Sequence, residues 1–315
     1  MSSMLDLLSD ILTKLSLKGT LYFRTSMSAD PWGIKVPAYE NVARFHYVHR
    51  GECVVRVAGE DRVLRLAKGD LVLVPHGAPH TLNCRLSGPD DALPLDDVLE
   101  RSGYDGSGVL VFGGDDPNME TQLICGHFSL AKGSRHMLFE RLPPSIVIRD
   151  YGTQAGDWLE ATLRVIGAEA GTGSFGGDLI ALKMSEAIFA QAIRRHIEDS
   201  AAIDGALSGF GDTYLTRALA AFHSDPTAAW TVEALAKEAA LSRTSFALRF
   251  SEKLGVSPMQ YVTSWRMQIA RNALIERGVS VAEAANLCGY ASEAAFSRAF
   301  KKELGQSPAG FRNLH

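Results

Sequence analysis

The chain has 315 residues, 46% hydrophobic and 22% charged. That balance excludes a disordered chain and leaves room for more than one buried core. The net charge of −4 conceals an asymmetry: from Thr213 onward there are 12 basic and 8 acidic residues, a net of +4, while 1–212 holds 20 basic and 28 acidic, a net of −8. The first part repels a polyanion and the second admits one. No apolar run reaches the roughly 18 residues that a spanning helix requires, so a membrane is not expected among the partners.

The N-terminal segment MSSMLDLLSDILTKL carries acid early and lacks a basic leader and a small-residue cleavage site. It reads as an amphipathic helix through Leu5, Leu8, Ile11, Leu12 and Leu15, not as a signal peptide, and a cytoplasmic protein is expected. In that compartment Cys53, Cys84, Cys125 and Cys288, which form no CxxC pair, are expected to be free thiols.

Residues from about 20 to 150 are rich in short β-branched and aromatic runs: Thr20–Thr25, Val42–His49, Cys53–Val57, Arg62–Leu66, Leu71–Val74 and Gln122–Leu130. Gly, Pro and Asp turns separate them, which predicts a sandwich or barrel. Gly88–Gly114 reads as a loop, with Val109–Phe112 resuming the sheet. Leu142-Pro143-Pro144 closes the β region. Helices are then expected over Asp157–Ala170 and Asp178–Asp199. In the second, Ile180, Met184, Ala187, Ile188 and Gln191 share a face, and Leu182, Phe189 and Ile193 widen it. Such an apolar helix packs on the barrel or pairs with a second copy, and a homodimer is expected. Ser200–Asp212 reads as a linker.

The strongest signal is a repeat. LSRTSFALRFSEKLGVSP from Leu241 matches ASEAAFSRAFKKELGQSP from Ala291. Ser242 and Ser292 are placed to cap a helix. Phe246 and Phe250, then Phe296 and Phe300, lie four apart and share a buried face. Gly255 and Gly305 end the helices, and Pro258 and Pro308 stop them. A short Ala-rich helix precedes each copy: Thr231–Ala239 and Ser280–Cys288. A short helix, a tight turn and a longer helix make a helix-turn-helix unit, and a period in this range means one unit used twice. The long helix Met259–Arg277, with Val262, Trp265, Ile269 and Ala273 as its buried stripe, would hold the units about one DNA turn apart. Arg243, Thr244, Ala247 and Arg249 are the exposed candidates on the first second-helix, with Ser242 at its start. Glu293, Ala294, Ala295, Arg298 and Lys301 are those on the other, with Ser292 at its start. Short and basic side chains suit the major groove of double-stranded DNA.

These residues resemble the AraC/XylS family of transcription regulators over about 100 C-terminal residues. The run Gly289-Tyr290-Ala291-Ser292-Glu293-Ala294-Ala295-Phe296-Ser297-Arg298-Ala299-Phe300-Lys301, followed by Gly305-Gln306-Ser307-Pro308, carries the resemblance. It implies a promoter-binding activator or repressor, commonly a dimer, that works with RNA polymerase when it activates. Arg298 matches a family position that contacts DNA. One departure is Leu248, where the family frequently has a basic residue.

The N-terminal half is similar to the cupin-type sensory domain of one branch of that family, through Phe45-His46-Tyr47-Val48, Gly69–His80, Cys125-Gly126-His127-Phe128 and Leu142-Pro143-Pro144. The resemblance implies an α+β multidomain chain: a cupin-like β-barrel over 1–150 that senses an effector, a helical dimerisation segment and linker over 151–212, and an all-α tandem helix-turn-helix domain over 213–315. His80 fits the second cupin motif. The first motif should add two His and a Glu, yet Arg44 stands at the Glu position. No cofactor is assigned. Arg44 and His46 share strand parity, and with His80 they suit an anionic or polar small effector. Cys125 and His127 also share parity, so His46, His80, Cys125 and His127 are the candidates for a metal site, and Cys84 with Cys125 for a thiol switch. The competing readings are a cupin metalloenzyme fused to a DNA-binding domain and a constitutive regulator with an inert barrel.

Overall fold

Strands that bury one face must meet a second layer, and here two sheets face each other. The computed structural model describes residues 6–14, 17–27, 31–85, 88–105, 109–112, 121–130, 136–150, 158, 161–162, 165–166, 169, 174–201 and 208–313. Its strands are β1 Leu17–Met27, β2 Gly33–Val36, β3 Val42–Arg50, β4 Glu52–Val57, β5 Leu64–Ala67, β6 Leu71–Val74, β7 His80–Asn83, β8 Leu93–Pro94, β9 Val109–Phe112, β10 Thr121–Leu130 and β11 Ile146–Ile148. One sheet has the order β11-β6-β3-β10-β1-β9 and the other β5-β4-β7-β2-β8. Pairing is antiparallel except for β1 with β9 and β2 with β8. Among the described residues the barrel is thus a sandwich. Val48, Val72 and Leu123 of the first sheet pack with Val36, Val55 and Leu82 of the second.

The six-stranded sheet is buried on both faces. Away from the second sheet, Phe45 stacks on Phe128 at 5.4 Å between ring centroids. Phe128 in turn lies 4.6 Å from Phe189 on the helix Gly177–Ala201. This explains the near-continuous burial of β3. The turn after β6 delivers β7: Gly77 has φ +60°, and a Cβ there would run into the Tyr39 carbonyl.

Several expectations need correcting. The predicted loop Gly88–Gly114 contains β8 and the helix Leu95–Ser102 as well as β9. The β region continues past Leu142-Pro143-Pro144 into β11. β2 and β7 were not expected; each is four residues long, too short for alternation to register. On Gly177–Ala201 the buried stripe runs through Ala181, Ser185, Ile188, Ala192 and Ile193, while Ile180 is exposed. The helix is therefore turned by about one position from its predicted face. Most of 157–170 lies outside the described residues, as do Leu5 and Leu15; Trp158, 161–162, 165–166 and Glu169 are helical.

In chain order the helices are α1 Leu7–Lys14, α2 Leu95–Ser102, α3 Met137–Glu140, α4 Gly177–Ala201, α5 Thr213–Ser224, α6 Val232–Glu238, α7 Arg243–Leu254, α8 Pro258–Glu276, α9 Val281–Leu287, α10 Glu293–Leu304 and α11 Pro308–Asn313. Two compact units result: the sheets with α4 up to His196, and the C-terminal helices joined by α1 and by residues 136–141. Among the described residues no helix is long and apolar enough to cross a membrane.

Candidate functional site

Local chemistry sets each helix-turn-helix unit. Thr231 caps α6 and Ser242 caps α7 by accepting hydrogen bonds from Ala234 and Ser245 N–H. In the second unit Ser280 and Glu283 form a reciprocal capping box on α9, and Ser292 caps α10. Gly255 and Gly305 end α7 and α10 with φ of +61° and +77°. Pro258 and Pro308 do more than stop these helices, since each is the first residue of the next one. Phe246, Phe250, Phe296 and Phe300 are all fully buried. The turn of the second unit is one residue longer, with Gly289 at φ +70° where the first unit has Ala240 at +54°.

On α7, Arg243 and Thr244 are exposed and Ala247 is partly buried. Arg243 pairs with Glu233 at 2.5 Å, both side chains more than 60% exposed, so the pair is weak and readily exchanged. Arg249 is turned inward: its Nε and Nη2 donate to Asp212 Oδ2 at 2.8 and 2.6 Å. Asp212 also caps α5 through the N–H groups of Tyr214 and Leu215, so Arg249 serves as a brace. The sequence did not reveal this, because the partners lie 37 residues apart. On α10, Glu293, Ala294, Arg298 and Lys301 are exposed and Ala295 is partly buried.

The second constellation lies between the sheets. His46 faces Cys125 across β3 and β10, and Arg44 faces His127. His80 reaches in from β7. His80 Nδ1 lies 2.8 Å from the Ala78 carbonyl, which can only accept, so this nitrogen carries the proton. His80 Nε2 is then the acceptor for His46 Nε2–H at 2.9 Å. His46 Nδ1, left as an acceptor, accepts a hydrogen bond from the Cys125 S–H at 3.1 Å. The chain Cys125 to His46 to His80 to Ala78 is satisfied with both imidazoles neutral and the sulfur protonated, and equally by a thiolate beside an imidazolium, so burial decides between the two. Burial favours the neutral arrangement. It pushes the His46 pKa well below its ordinary value, with His80 and Arg44 adding to the effect. It lowers His80 to about 4 and raises the Cys125 thiol. A protonated, buried thiol is neither a nucleophile nor a metal ligand in this state. Among the described residues no group of three or more His, Cys, Asp or Glu has the geometry to hold a metal ion. His127 is only partly buried, and burial, then Arg44, lowers its pKa. Cys84 lies partly buried in the same core.

Arg44 is the unusual member. It is 7% exposed, and its guanidinium lies 4.2 Å from the Tyr39 ring centroid. Its Nε is buried without a hydrogen-bond partner. Among the described residues no carboxylate pairs with it.

Comparison with known proteins identifies the two domains. The family described as "Cupin" matches residues 6–198, and the "Helix-turn-helix domain" family matches 235–314. A Streptomyces antibioticus protein named as an AraC-like transcription regulator is 32% identical over 314 residues, 98% of each chain. One of Streptomyces lividans with the same description is 33% identical over 309 residues, again 98% of each. The chain belongs to the AraC-like transcription regulators. A further relative, the RCS-specific HTH-type transcriptional activator RclR of Escherichia coli, is 27% identical over 311 residues, 98% of this chain and 97% of its own. This AraC-type regulator therefore joins a cupin domain to a DNA-binding helix-turn-helix region.

The regulator's helical unit contains a buried polar chain that its sequence did not suggest. Leu138 N–H donates to His136 Nδ1 at 3.1 Å, which leaves the proton on His136 Nε2. That N–H donates to the Tyr261 hydroxyl at 3.2 Å. Tyr261 O–H donates to His223 Nε2 at 2.7 Å, and His223 Nδ1–H to Asp10 at 2.7 Å. Asp10 and His136 belong to the stretch matched by the cupin family, whereas His223 and Tyr261 lie on α5 and α8. The chain thus ties segments of cupin sequence to the helices that carry the first unit.

Proposed function

We propose that the exposed faces of α7 and α10 read promoter DNA, and that a small anionic effector held by Arg44, in a site lined by His46, His80, Cys125 and His127, sets the affinity of that reading. The observation that carries the effector class is Arg44, a buried cation with no carboxylate to neutralise it. Tyr39 gives it a ring face and a hydrogen bond but no neutralising charge, and an incoming anion would turn the cost of that buried cation into a charge-assisted bond. A groove of roughly 500 Å³ next to His80, bordered by Lys35, Arg56, Thr81 and Asp96, supports an entry route with a net positive rim. In this reading 1–150 senses, 151–212 joins two copies and 213–315 reads DNA in the cytoplasm. The exposed Phe175, just before α4, and Leu179 and Ile180 in its first turn support a homodimer. RNA polymerase is a partner if the regulator activates. The neutral, mutually bonded imidazoles favour a sensor over a cupin enzyme.

Native mass spectrometry of the protein as purified tests the effector. An organic acid should accompany the wild type and be lost in Arg44→Met, which should still fold, since it removes a buried cation with no carboxylate partner while giving up its contact with Tyr39. An identical ligand load in both proteins would sink the Arg44 assignment. The DNA side is tested at Arg298. Arg298→Ala should cost about 1–3 kcal/mol of specific binding, the value of one base-pairing side chain, with the salt dependence of the wild type remaining steep through phosphate contacts. Unchanged affinity in a gel-shift titration would remove Arg298 from the interface.

A further inference from the structure

We propose that Leu248 is a specificity residue that recognises the C5-methyl group of thymine in the major groove, so that the two reading helices of this chain recognise chemically different bases. The proposal rests on the reading of α7 and α10 as base-reading helices.

The repeat fixes the position. With Ser242 matched to Ser292 and Phe250 to Phe300, Leu248 of α7 falls on Arg298 of α10. Every other large apolar side chain of α7 is buried: Phe246, Phe250 and Leu254. Leu248 is 60% exposed. It therefore contributes little to the core, and water meets it in the middle of the face where the second unit carries its arginine. Thr244, four residues earlier, and Ser251, three residues later, lie on the same face and are exposed. Both are short, so Leu248 stands clear of them, with Glu252 exposed one turn further on.

Charge separates the two helices further. Arg249 and Lys253 of α7 are engaged within the domain by Asp212, while Arg243, at the helix start, pairs loosely with Glu233. In α10 the exposed face carries Arg298, Lys301 and Lys302. A guanidinium recognises guanine through O6 and N7. Among the bases only thymine presents a methyl group in the major groove, and an apolar side chain reads it. An exposed leucine at the arginine position exchanges a hydrogen-bonding contact for a hydrophobic one. The first unit should then select thymine where the second selects guanine, and the bound site should be asymmetric between its two halves.

The experiment uses the full-length protein and a random duplex pool to obtain its preferred site. Each thymine in that site is then replaced singly by deoxyuridine, which removes the methyl group and keeps every hydrogen bond. Wild type should lose affinity about fourfold per buried methyl at one or two adjacent thymines, and Leu248→Ala should show no loss at those positions. Leu248→Arg should shift the pool towards guanine there. Equal uridine sensitivity in wild type and Leu248→Ala would overturn the assignment, as would an affinity and selection profile unchanged in Leu248→Ala. A wild type that selects no sequence at all would mark failure of the base-reading helices themselves, which is a separate outcome.

Discussion

Phe300→Ala should destabilise the second helix-turn-helix unit by about 3–5 kcal/mol, the range for truncating a fully buried aromatic in a close-packed core. Phe300 is 0% exposed and sits in a cluster with Met267, Ala270, Leu274, Ala284, Ala285 and Phe296. Its ring lies 5.5 Å from Phe296 and 5.6 Å from Phe311. Three of these six neighbours are alanines on helices, which cannot swing in to fill the space, so much of the cavity should persist. A loss of this size is a large fraction of the stability of a domain of about 100 residues. Urea denaturation followed by circular dichroism should show an early transition in the variant, and hydrogen exchange should locate it in α9 to α11. A shift below about 1 kcal/mol would mean that the core collapses around the gap. Leu248→Ala is the control: it removes an exposed apolar side chain from a helix of the same kind and should leave stability within about 0.5 kcal/mol.

The contrast between these two apolar residues shows what the sequence could reveal. Phe296 and Phe300 were legible because helix periodicity, a serine cap and a left-handed glycine are local signals, and each unit carries all three. The strands were legible where β-branched and aromatic runs sat between turn residues. β7 was not, because His80-Thr81-Leu82-Asn83 offers one apolar residue in four and its place depends on pairing with β2 and β4. Strand parity put Arg44 with His46 and Cys125 with His127 on shared faces, and the fold brings the first three together with His80. Parity could not supply the proton order of the cluster, because that order starts from a backbone carbonyl at Ala78. Arg249 was expected on the DNA face because helical spacing alone cannot see Asp212. The Asp10–His223–Tyr261–His136 chain escaped sequence reading for the same reason, with partners as many as 213 residues apart.

Lowering the pH from about 7 to 4 should loosen the sandwich, and His80 should account for a large share of the effect. Its pKa falls from 6.5 to about 4 on folding, with burial as the main cause. Between those values the unfolded chain binds a proton that the folded chain refuses, so stability rises with pH across this window. The contribution is complete above about 6.5 and is lost as pH falls towards 4, where both states are protonated. A shift of this size is worth about 3 kcal/mol, at roughly 1.4 kcal/mol per pH unit. His46 moves in the same direction, so it steepens the acid limb. Protonating either ring also breaks the bonded chain, since an imidazolium offers two donors where the cluster needs one donor and one acceptor. Hydrogen-exchange protection of β3 and β7 should therefore fall steeply below pH 6.5 in the wild type. In His80→Gln, whose side-chain oxygen can accept from His46 without titrating, protection should start lower and decline less. Parallel pH profiles for the two proteins would show that the imidazoles reach solvent before the sheets part, and the closed hydrogen-bonded chain would have to be abandoned.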